Sequence, residues 1–438
     1  MTAASRARLY DAAWLLVMAA TAWAVFSMAL TSAFNAHPDE KDHVGAGRYY
    51  MQYWDPPAVG DERARGAYSN YGVSYLNQLD SVYFFAGKFA RLVKPLAGED
   101  HLALRLFNVA LFMWLMWLCW RLKGARRLAF LPLFLTPQAW YVFCYFNGDA
   151  MPLALSFAVV FLVSGLVELG EAARPEPGRA ERLMWGLGLS LGLLLVSKQN
   201  YYVFVAYLLA FWGLAAFQGG VFPRIPLGRL ALALALAAAV FGARYGVNAW
   251  AVRHQPPDVV AKVAEKMAAP EFKPSAAEKG EGFWGSRMRS RGVTLTEMFT
   301  GEWKWHVFTL RSALGKYGAM DIEAPLLFYR WFGRAGALFL LLVGIPLAMR
   351  GWDARAGLCL WLAFAVLTVG QSLWHSWNND FQAQGRYLFP ILAMTGCLLA
   401  RFRNCLGRFE APAWAVGALL WGMSLWSFAA VGLARIPK

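Results

Sequence analysis

The chain has 438 residues, of which 58% are hydrophobic and only 16% are charged, and its formal net charge is +15. This composition is too apolar for a soluble protein of several domains, and it indicates a polytopic membrane protein. No nucleic-acid partner is expected, because topology signals and contacts with lipid phosphates explain the basic residues better.

Eleven apolar segments come close to the roughly 20 residues that a membrane-spanning helix needs. They lie at about residues 11–34, 102–120, 128–146, 150–167, 183–197, 200–217, 229–252, 331–349, 356–374, 387–400 and 411–433. The fifth and tenth segments are short. We therefore predict an all-α polytopic membrane protein, a single integral membrane domain of about 11 transmembrane helices within a range of about 10–13.

The short loops carry basic residues on one side of the membrane and almost none on the other. Arg126 and Arg127 follow the second segment, and Arg401 and Arg403 follow the tenth. Because basic loops stay in the cytoplasm, the amino terminus is predicted to be cytoplasmic. Two long loops, at about 35–100 and 253–330, then lie together on the outer face, where we expect short interfacial helices.

The first outer loop opens with the sequence "HPDEKDH". If a helix begins near Pro38, Asp39 and His43 share one of its faces, and Glu40 points about a third of a turn away. Two interpretations remain open. These acids could stabilise an ordinary helix start, or they could perform chemistry at the membrane surface.

Three more residues predicted on the outer side could likewise have either a structural or a functional role. Asp149, in "NGD", could cap the following helix or orient a substrate or a basic side chain. Lys198 lies between two apolar runs and is either a functional residue or a lysine that snorkels to the interface. Arg386, in "QGRYLFP", suits a phosphate because of its planar fork, but it could instead form a salt bridge with Asp380 or with an acid of the first loop.

The same opening cluster raises the question of a metal ion. His37, Asp39, Glu40 and His43 are ligand types for a divalent cation. Three or four ligands from one short helix seldom close around a single ion, so we do not favour a metal. No other cofactor is predicted.

The blocks "HPDEKDHVGAGRYY", "SALGKYGAMDIEAP" and "QGRYLFP", in this order, are similar to those of the bacterial domain-of-unknown-function 2142 membrane proteins. With the acidic first outer loop and the many helices, the chain also resembles the GT-C superfamily of membrane glycosyltransferases. That resemblance implies a GT-C-like fold and transfer of a sugar from a polyprenyl-phosphate carrier to an acceptor on the outer face of the bacterial inner membrane.

The resemblance also implies roles for individual residues. Asp39, with Glu40 second, would act as the base or orient the acceptor, and Lys198 and Arg386 would hold the donor phosphate. His43, Asp149, Gln384 and Tyr387 are the candidates for contacts with the sugar or the acceptor.

The predicted function is that of an inverting hexosyl- or pentosyltransferase of cell-envelope synthesis. A polyprenyl phosphate leaves without protonation, so one base and cationic phosphate ligands would suffice. The expected partners are the polyprenyl-phosphate-sugar donor, membrane lipids and an envelope glycan, lipid or protein acceptor.

Two other classes of function are also considered. A transporter or flippase of a lipid-linked or anionic substrate would use Lys198 and Arg386 along its path, but it would favour ionisable residues near the bilayer midplane. A non-catalytic envelope-assembly protein is the second alternative.

Overall fold

A computed structural model describes residues 3–171, 176, 178–218, 227–278 and 282–438 of the chain. The helices of the first half are α1 (Ala3–Thr31), α2 (Glu40–Gln52), α3 (Val82–Ala97), α4 (Asp100–Arg121), α5 (Leu131–Leu135), α6 (Pro137–Tyr141), α7 (Ala150–Glu171), α8 (Arg179–Leu195), α9 (Tyr202–Phe217) and α10 (Leu227–Val252). In the second half they are α11 (Val259–Met267), α12 (Pro274–Glu278), α13 (Leu295–Thr300), α14 (Trp305–Gly315), α15 (Leu326–Met349), α16 (Trp352–Asn378), α17 (Phe389–Phe402) and α18 (Glu410–Trp426). Two strands, β1 (Lys316–Tyr317) and β2 (Ile322–Glu323), form a small antiparallel hairpin.

The predicted all-α membrane architecture is confirmed. Within the described part of the chain, eight helices are long and apolar enough to cross a membrane. They are Tyr10–Thr31, Asp100–Arg121, Ala150–Glu171, Gln199–Phe217, Gly228–Val252, Leu326–Met349, Trp352–Asn378 and Gly407–Leu433. The two segments predicted to be short form the 17-residue helix α8 and the 14-residue helix α17.

The third apolar segment, 128–146, does not form one helix. A 3₁₀ turn over Gly124–Phe130 leads into α5, and α6 begins anew at Pro137. Thr136, directly before Pro137, has extended backbone angles (φ −124°, ψ 132°). A residue before proline is disfavoured in the helical conformation, so the sequence itself causes this break.

Two glycines bring neighbouring helices of this chain into close contact. A Cβ atom at Gly188 of α8 would lie 2.4 Å from the carbonyl oxygen of Ala233, and one at Gly192 would lie 2.7 Å from Cβ of Val240. Both contacts are with α10. This small-residue spacing therefore packs two helices of the same chain, as such spacings commonly do in membranes.

The two long loops, at about 35–100 and 253–330, contact each other through hydrogen bonds. The side-chain amide of Gln255 pairs with both backbone groups of Val59, at 2.9 and 2.8 Å. The amide of Ala269 also donates to the carbonyl of Asn70 at 2.9 Å. We call the two contacting loops the outer body. It includes the start of α2, and it contacts the segment before α17 through a backbone bridge between Ser286 and Asp380.

Candidate active site

The turn between α1 and α2 is held by a buried ion pair. Arg105 of α4 donates to both carboxylate oxygens of Glu40, at 2.6 and 2.8 Å, and both side chains are almost fully buried. The same guanidinium also donates to the carbonyls of Ala29, Ser32 and Ala33 at the end of α1. Both oxygens of Glu40 are therefore occupied inside the protein. This environment favours a structural role for Glu40 over the catalytic role predicted second for it.

Asp39 has a different environment from its neighbour. Its backbone is left-handed (φ 55°, ψ 13°), and its side chain makes no capping hydrogen bond to α2. Half of its carboxylate is exposed, and Oδ2 lies 3.6 Å from a terminal nitrogen of Arg386. Aspartate is one of the few non-glycine residues that adopt this left-handed conformation readily, so the chain can turn here before α2 begins. The helix-capping interpretation of Asp39 thus has no hydrogen bond to support it.

Asp149 is the buried centre of the site. Asn147 caps α7 by accepting from the amides of Asp149 and Ala150, at 2.8 and 3.2 Å. The Asp149 carboxylate is therefore left to contact Lys198 at 2.5 Å and Arg386 at 3.4 Å. Its position fits the second interpretation of this residue, which was the orientation of basic side chains.

Four charged residues from distant parts of the sequence thus lie together, and we call Asp39, Asp149, Lys198 and Arg386 the ion cluster. Burial alone would raise the pKa of Asp149, but Lys198 and then Arg386 lower it below its ordinary value. Burial would likewise lower the pKa of Arg386, but Asp149 raises it well above its ordinary value. The pair formed by Asp149 and Arg386 is therefore charged at neutral pH.

Arg386 retains unused hydrogen-bond donors. Its distances to Asp149 and Asp39, 3.4 and 3.6 Å, are ion-pair contacts beyond the usual N–H···O range. Its Nε is buried and has no acceptor among the described residues. Electrostatic attraction to the two aspartates therefore positions the guanidinium, and its N–H groups remain available to donate to the oxygens of an anion.

His43 lies behind the ion cluster. It is almost fully buried, its Nδ1 is 2.8 Å from the hydroxyl of Tyr83, and its ring stacks on Tyr75 at 4.4 Å. Burial lowers the pKa of His43 to about 3, so the ring is neutral at physiological pH. This packing suits a residue that positions Tyr75 rather than one that meets a ligand directly.

Gln384 and Tyr387 flank Arg386 in the chain. The Tyr387 hydroxyl donates to the side-chain carbonyl of Gln382, and its ring centre lies 5.8 Å from Nζ of Lys198. The side-chain oxygen of Gln384 is buried without a hydrogen-bond partner in the described chain. Tyr387 therefore lies beside the ion cluster, and Gln384 lies two residues before Arg386 in the same segment.

The four residues considered as metal ligands do not converge. The ring of His37 contacts Ser32 and Tyr141, each at 2.8 Å, while Glu40 pairs with Arg105. Over the residues that the structure describes, no group of three or more His, Cys, Asp or Glu side chains is placed to hold a metal ion.

Sequence reasoning missed three residues near this site. Arg105 could have been noticed as a lone arginine inside an apolar segment, which normally has a buried partner. Tyr71 and Asp80 gave no signal, because their neighbours come from distant parts of the chain. The Tyr71 hydroxyl donates to Asp380 at 2.6 Å, and Asp80 lies beside Gly148.

Gly385 provides a first test of this geometry. A Cβ atom there would lie 2.2 Å from the backbone nitrogen of Ala313 in α14, and the Gly385 amide donates to Ser312 at 2.6 Å. We expect Gly385→Ala to lower the free energy of unfolding by about 1–3 kcal/mol, because the added methyl group can be accommodated only if the backbone of α14 or of the Gly385 segment moves. Thermal unfolding in detergent measures this, with Gly370→Ala as the matched control, since its Cβ would contact nothing within 4 Å. Equal stability of the two variants would contradict the packing of α14 on Gly385.

Asp80 provides a test based on pH. Burial raises the pKa of Asp80 to about 7, although Lys198 opposes the shift. The folded state therefore binds the proton of Asp80 more tightly than the unfolded chain does. The contribution of protonated Asp80 to the free energy of unfolding is fully present below about pH 4 and is lost as the pH rises through about 7. We expect Asp80→Asn to be more stable than the parent protein at pH 8, by roughly 1–3 kcal/mol, and to lose less stability between pH 5 and 8.

Asp61→Asn is the control for this measurement. Its hydrogen bond with Arg63 lowers the pKa of Asp61, so its contribution to stability is lost only at acidic pH. Melting temperatures measured at pH 5 and 8 compare the three proteins. An Asp80→Asn variant with the same loss of stability between these pH values as the parent protein would contradict a raised pKa of Asp80.

Comparisons with known proteins identify the family and the fold of the chain. A family described as "Predicted membrane protein (DUF2142)" matches residues 31–395. The crystal structure of ArnT from Cupriavidus metallidurans bound to undecaprenyl phosphate superposes with a TM-score of 0.50 and 14% identity over 93% of this chain and 62% of that chain. The apo oligosaccharyltransferase of Archaeoglobus fulgidus has a TM-score of 0.44 and 13% identity over 96% of this chain and 56% of that one.

At this level of identity the likeness to ArnT shows the fold alone, which is the GT-C fold. The chain spans less than two thirds of either solved protein. The likeness to the archaeal enzyme is too weak to carry an argument. No curated protein matches the chain.

Proposed function

The chain belongs to the DUF2142 family of predicted membrane proteins. From the geometry of its ion cluster, we propose that it transfers a sugar from a polyprenyl-phosphate carrier to an acceptor at the outer face of the bacterial cytoplasmic membrane. The observation that carries the proposal is the ion cluster. It combines a half-exposed carboxylate with two cations, one of which has unused donors. The undecaprenyl phosphate bound to ArnT supports the choice of donor lipid.

Each member of the ion cluster has a role in the proposed reaction. Arg386 and Lys198 bind the phosphate of the donor and stabilise the negative charge that it gains on leaving. Asp149 stays ionised and holds the two cations in place. Asp39 accepts the proton of the acceptor hydroxyl.

The bonds and charges of this step balance. The acceptor oxygen forms a bond with the anomeric carbon while the bond from that carbon to the phosphate oxygen breaks. The acceptor proton moves to Asp39, and the electron pair leaves with the polyprenyl phosphate. Direct displacement of this kind inverts the anomeric centre. A phosphate leaving group needs no proton, which agrees with a site that offers one exposed carboxylate and two cations.

If Arg386 binds the donor phosphate, its replacement should weaken binding of the donor. We expect Arg386→Met to raise the KM for a polyprenyl-phosphate sugar by roughly 10- to 100-fold, because it removes charge-assisted hydrogen bonds of about 1.5–3 kcal/mol. The measurement follows transfer of radiolabelled sugar from a panel of such donors to envelope extract, with the protein in lipid nanodiscs. Arg63→Met is the matched control, because Arg63 is an exposed arginine of the first outer loop paired with Asp61.

The same assay separates the classes of function. Transfer of label to an acceptor supports a glycosyltransferase. Movement of the intact donor between leaflets without transfer supports a flippase, and an inert parent protein with every donor supports an assembly role. An Arg386→Met variant with the donor KM of the parent protein would contradict the phosphate site.

A further inference from the structure

Five aromatic rings form a continuous row on the outer body. Trp303 stacks on Trp284 with ring centres 5.1 Å apart and planes 23° apart. Trp284 contacts Phe283 at 5.1 Å, Phe283 contacts Phe272 at 5.1 Å, and Phe272 contacts Tyr71 at 4.5 Å. We call these residues the aromatic row. Its members come from both outer loops, so only the folded chain assembles it.

The aromatic row is not an ordinary core. Trp284 and Tyr71 are 59% and 40% exposed, and the other three rings are partly exposed. Trp303 also packs against a small buried cluster of Met288, Met298 and Trp305, which anchors this end of the row, and Trp284 at its side remains largely exposed. Rings that contact one another and remain partly exposed are candidates for a ligand-binding surface.

One end of the aromatic row reaches the ion cluster. The Tyr71 hydroxyl donates to Oδ2 of Asp380 at 2.6 Å, and Gln382 donates to the same oxygen at 2.8 Å. Gln382 in turn accepts from the hydroxyl of Tyr387, the residue that follows Arg386. Oδ1 of Asp380, a side chain that is 9% exposed, has no partner among the described residues. A hydrogen-bonded path therefore connects the row to the proposed reaction site, and it includes an unused acceptor.

We propose that the aromatic row binds the carbohydrate chain of the acceptor and leads its end to Asp39. A sugar ring has an apolar C–H face that packs on an aromatic ring, and its hydroxyls remain free for water or for acceptors such as Asp380. A row of rings suits several linked sugars, while a small acceptor would need only one. This inference rests on the proposed function and specifies the substrate class, which is an oligosaccharide or polysaccharide.

The position of the row favours a glycan over the bilayer surface as its occupant. Trp374 and Trp377 lie at the outer end of α16, where an interfacial belt is expected. Trp303 and Trp377 pack against the same small cluster, so one end of the row lies near this belt. The rest of the row runs through loop segments that pack on one another, with Phe381 donating to Gly285 and Phe283 donating to Glu271 through their backbone amides. It ends at polar groups of the proposed site, and a bilayer anchor would have no need of such groups.

The test measures binding of envelope oligosaccharides of one to eight sugar residues, prepared by partial hydrolysis of bacterial surface polysaccharides. The full chain in nanodiscs is titrated, and tryptophan fluorescence reports binding. We expect affinity to increase with chain length, and we expect Trp284→Ala and Trp303→Ala each to weaken the longer chains by roughly two- to tenfold while leaving the monosaccharides unchanged. Trp284→Phe keeps a ring and should retain most of the affinity.

Trp54→Ala is the matched control, since Trp54 is 68% exposed in the first outer loop but lies outside the aromatic row. The titration contains no sugar donor, so it measures glycan binding without transfer, and failure of the transfer reaction and failure of this inference are distinguishable. The inference is overturned if no oligosaccharide binds more tightly than its monosaccharide, or if Trp284→Ala binds the chains like the parent. Loss of binding to protein-free lipid vesicles in Trp284→Ala, with glycan binding unchanged, would identify the row as a membrane anchor instead.

Discussion

Asp39→Asn is expected to lower kcat for sugar transfer by roughly 10²- to 10⁴-fold, the usual contribution of a positioned general base. The amide keeps the size of the side chain but cannot accept the acceptor proton. Asp39 makes no capping hydrogen bond to α2, so its replacement has no reason to unfold the helix. The KM for the donor should change little, because Arg386 and Lys198 remain.

Asp42→Asn is the matched control for this substitution. Asp42 lies one turn along in α2 and outside the ion cluster, and it is partly buried. Initial-rate kinetics with a radiolabelled donor give kcat and KM for both variants and the parent protein. If Asp39→Asn keeps kcat within a few-fold of the Asp42→Asn value, Asp39 is not the base.

Arg105→Met is expected to destabilise the protein by about 3–5 kcal/mol, because it leaves the Glu40 carboxylate buried without its partner. The substitution also removes the donors to three carbonyls at the end of α1. The turn that positions Asp39 depends on these contacts, so we expect kcat to fall as well. Thermal unfolding in detergent, together with transfer kinetics, measures both effects.

Two further variants identify the cause of the Arg105→Met effect. Arg48→Met removes a partly exposed pair with Asp100 and should cost no more than about 1 kcal/mol. Adding Glu40→Met to Arg105→Met removes the unpaired charge and should restore part of the lost stability. If Arg105→Met is as stable as Arg48→Met, the buried pair does not hold the turn.

Composition and the length of the apolar segments were sufficient to predict the membrane architecture. Long apolar runs must be helical in lipid, because each backbone group needs an internal partner there. Of the eleven predicted segments, all within the described residues, two form the short helices α8 and α17, and only 128–146 is broken, where Pro132 and Pro137 divide the run into short helices. The sequence also contained that information, since proline disfavours a helical residue directly before it.

The candidate site was only partly predictable. Asp39, Asp149, Lys198 and Arg386 each stood out locally, as charged groups directly beside apolar segments. Their mutual distances depend on helix packing, which no local pattern encodes. Adjacent acids such as Asp39 and Glu40 look equivalent in sequence, yet Arg105 buries one of them and leaves the other half exposed.

The central claim is that Arg386 and Lys198 bind the donor phosphate opposite Asp39. The most direct test is a cryo-EM structure of the Asp39→Asn protein in nanodiscs with a polyprenyl-phosphate sugar. The account predicts phosphate oxygens within hydrogen-bond distance of both cations, with the anomeric carbon facing position 39. A phosphate bound elsewhere, with Arg386 and Lys198 still contacting only Asp149, would contradict it.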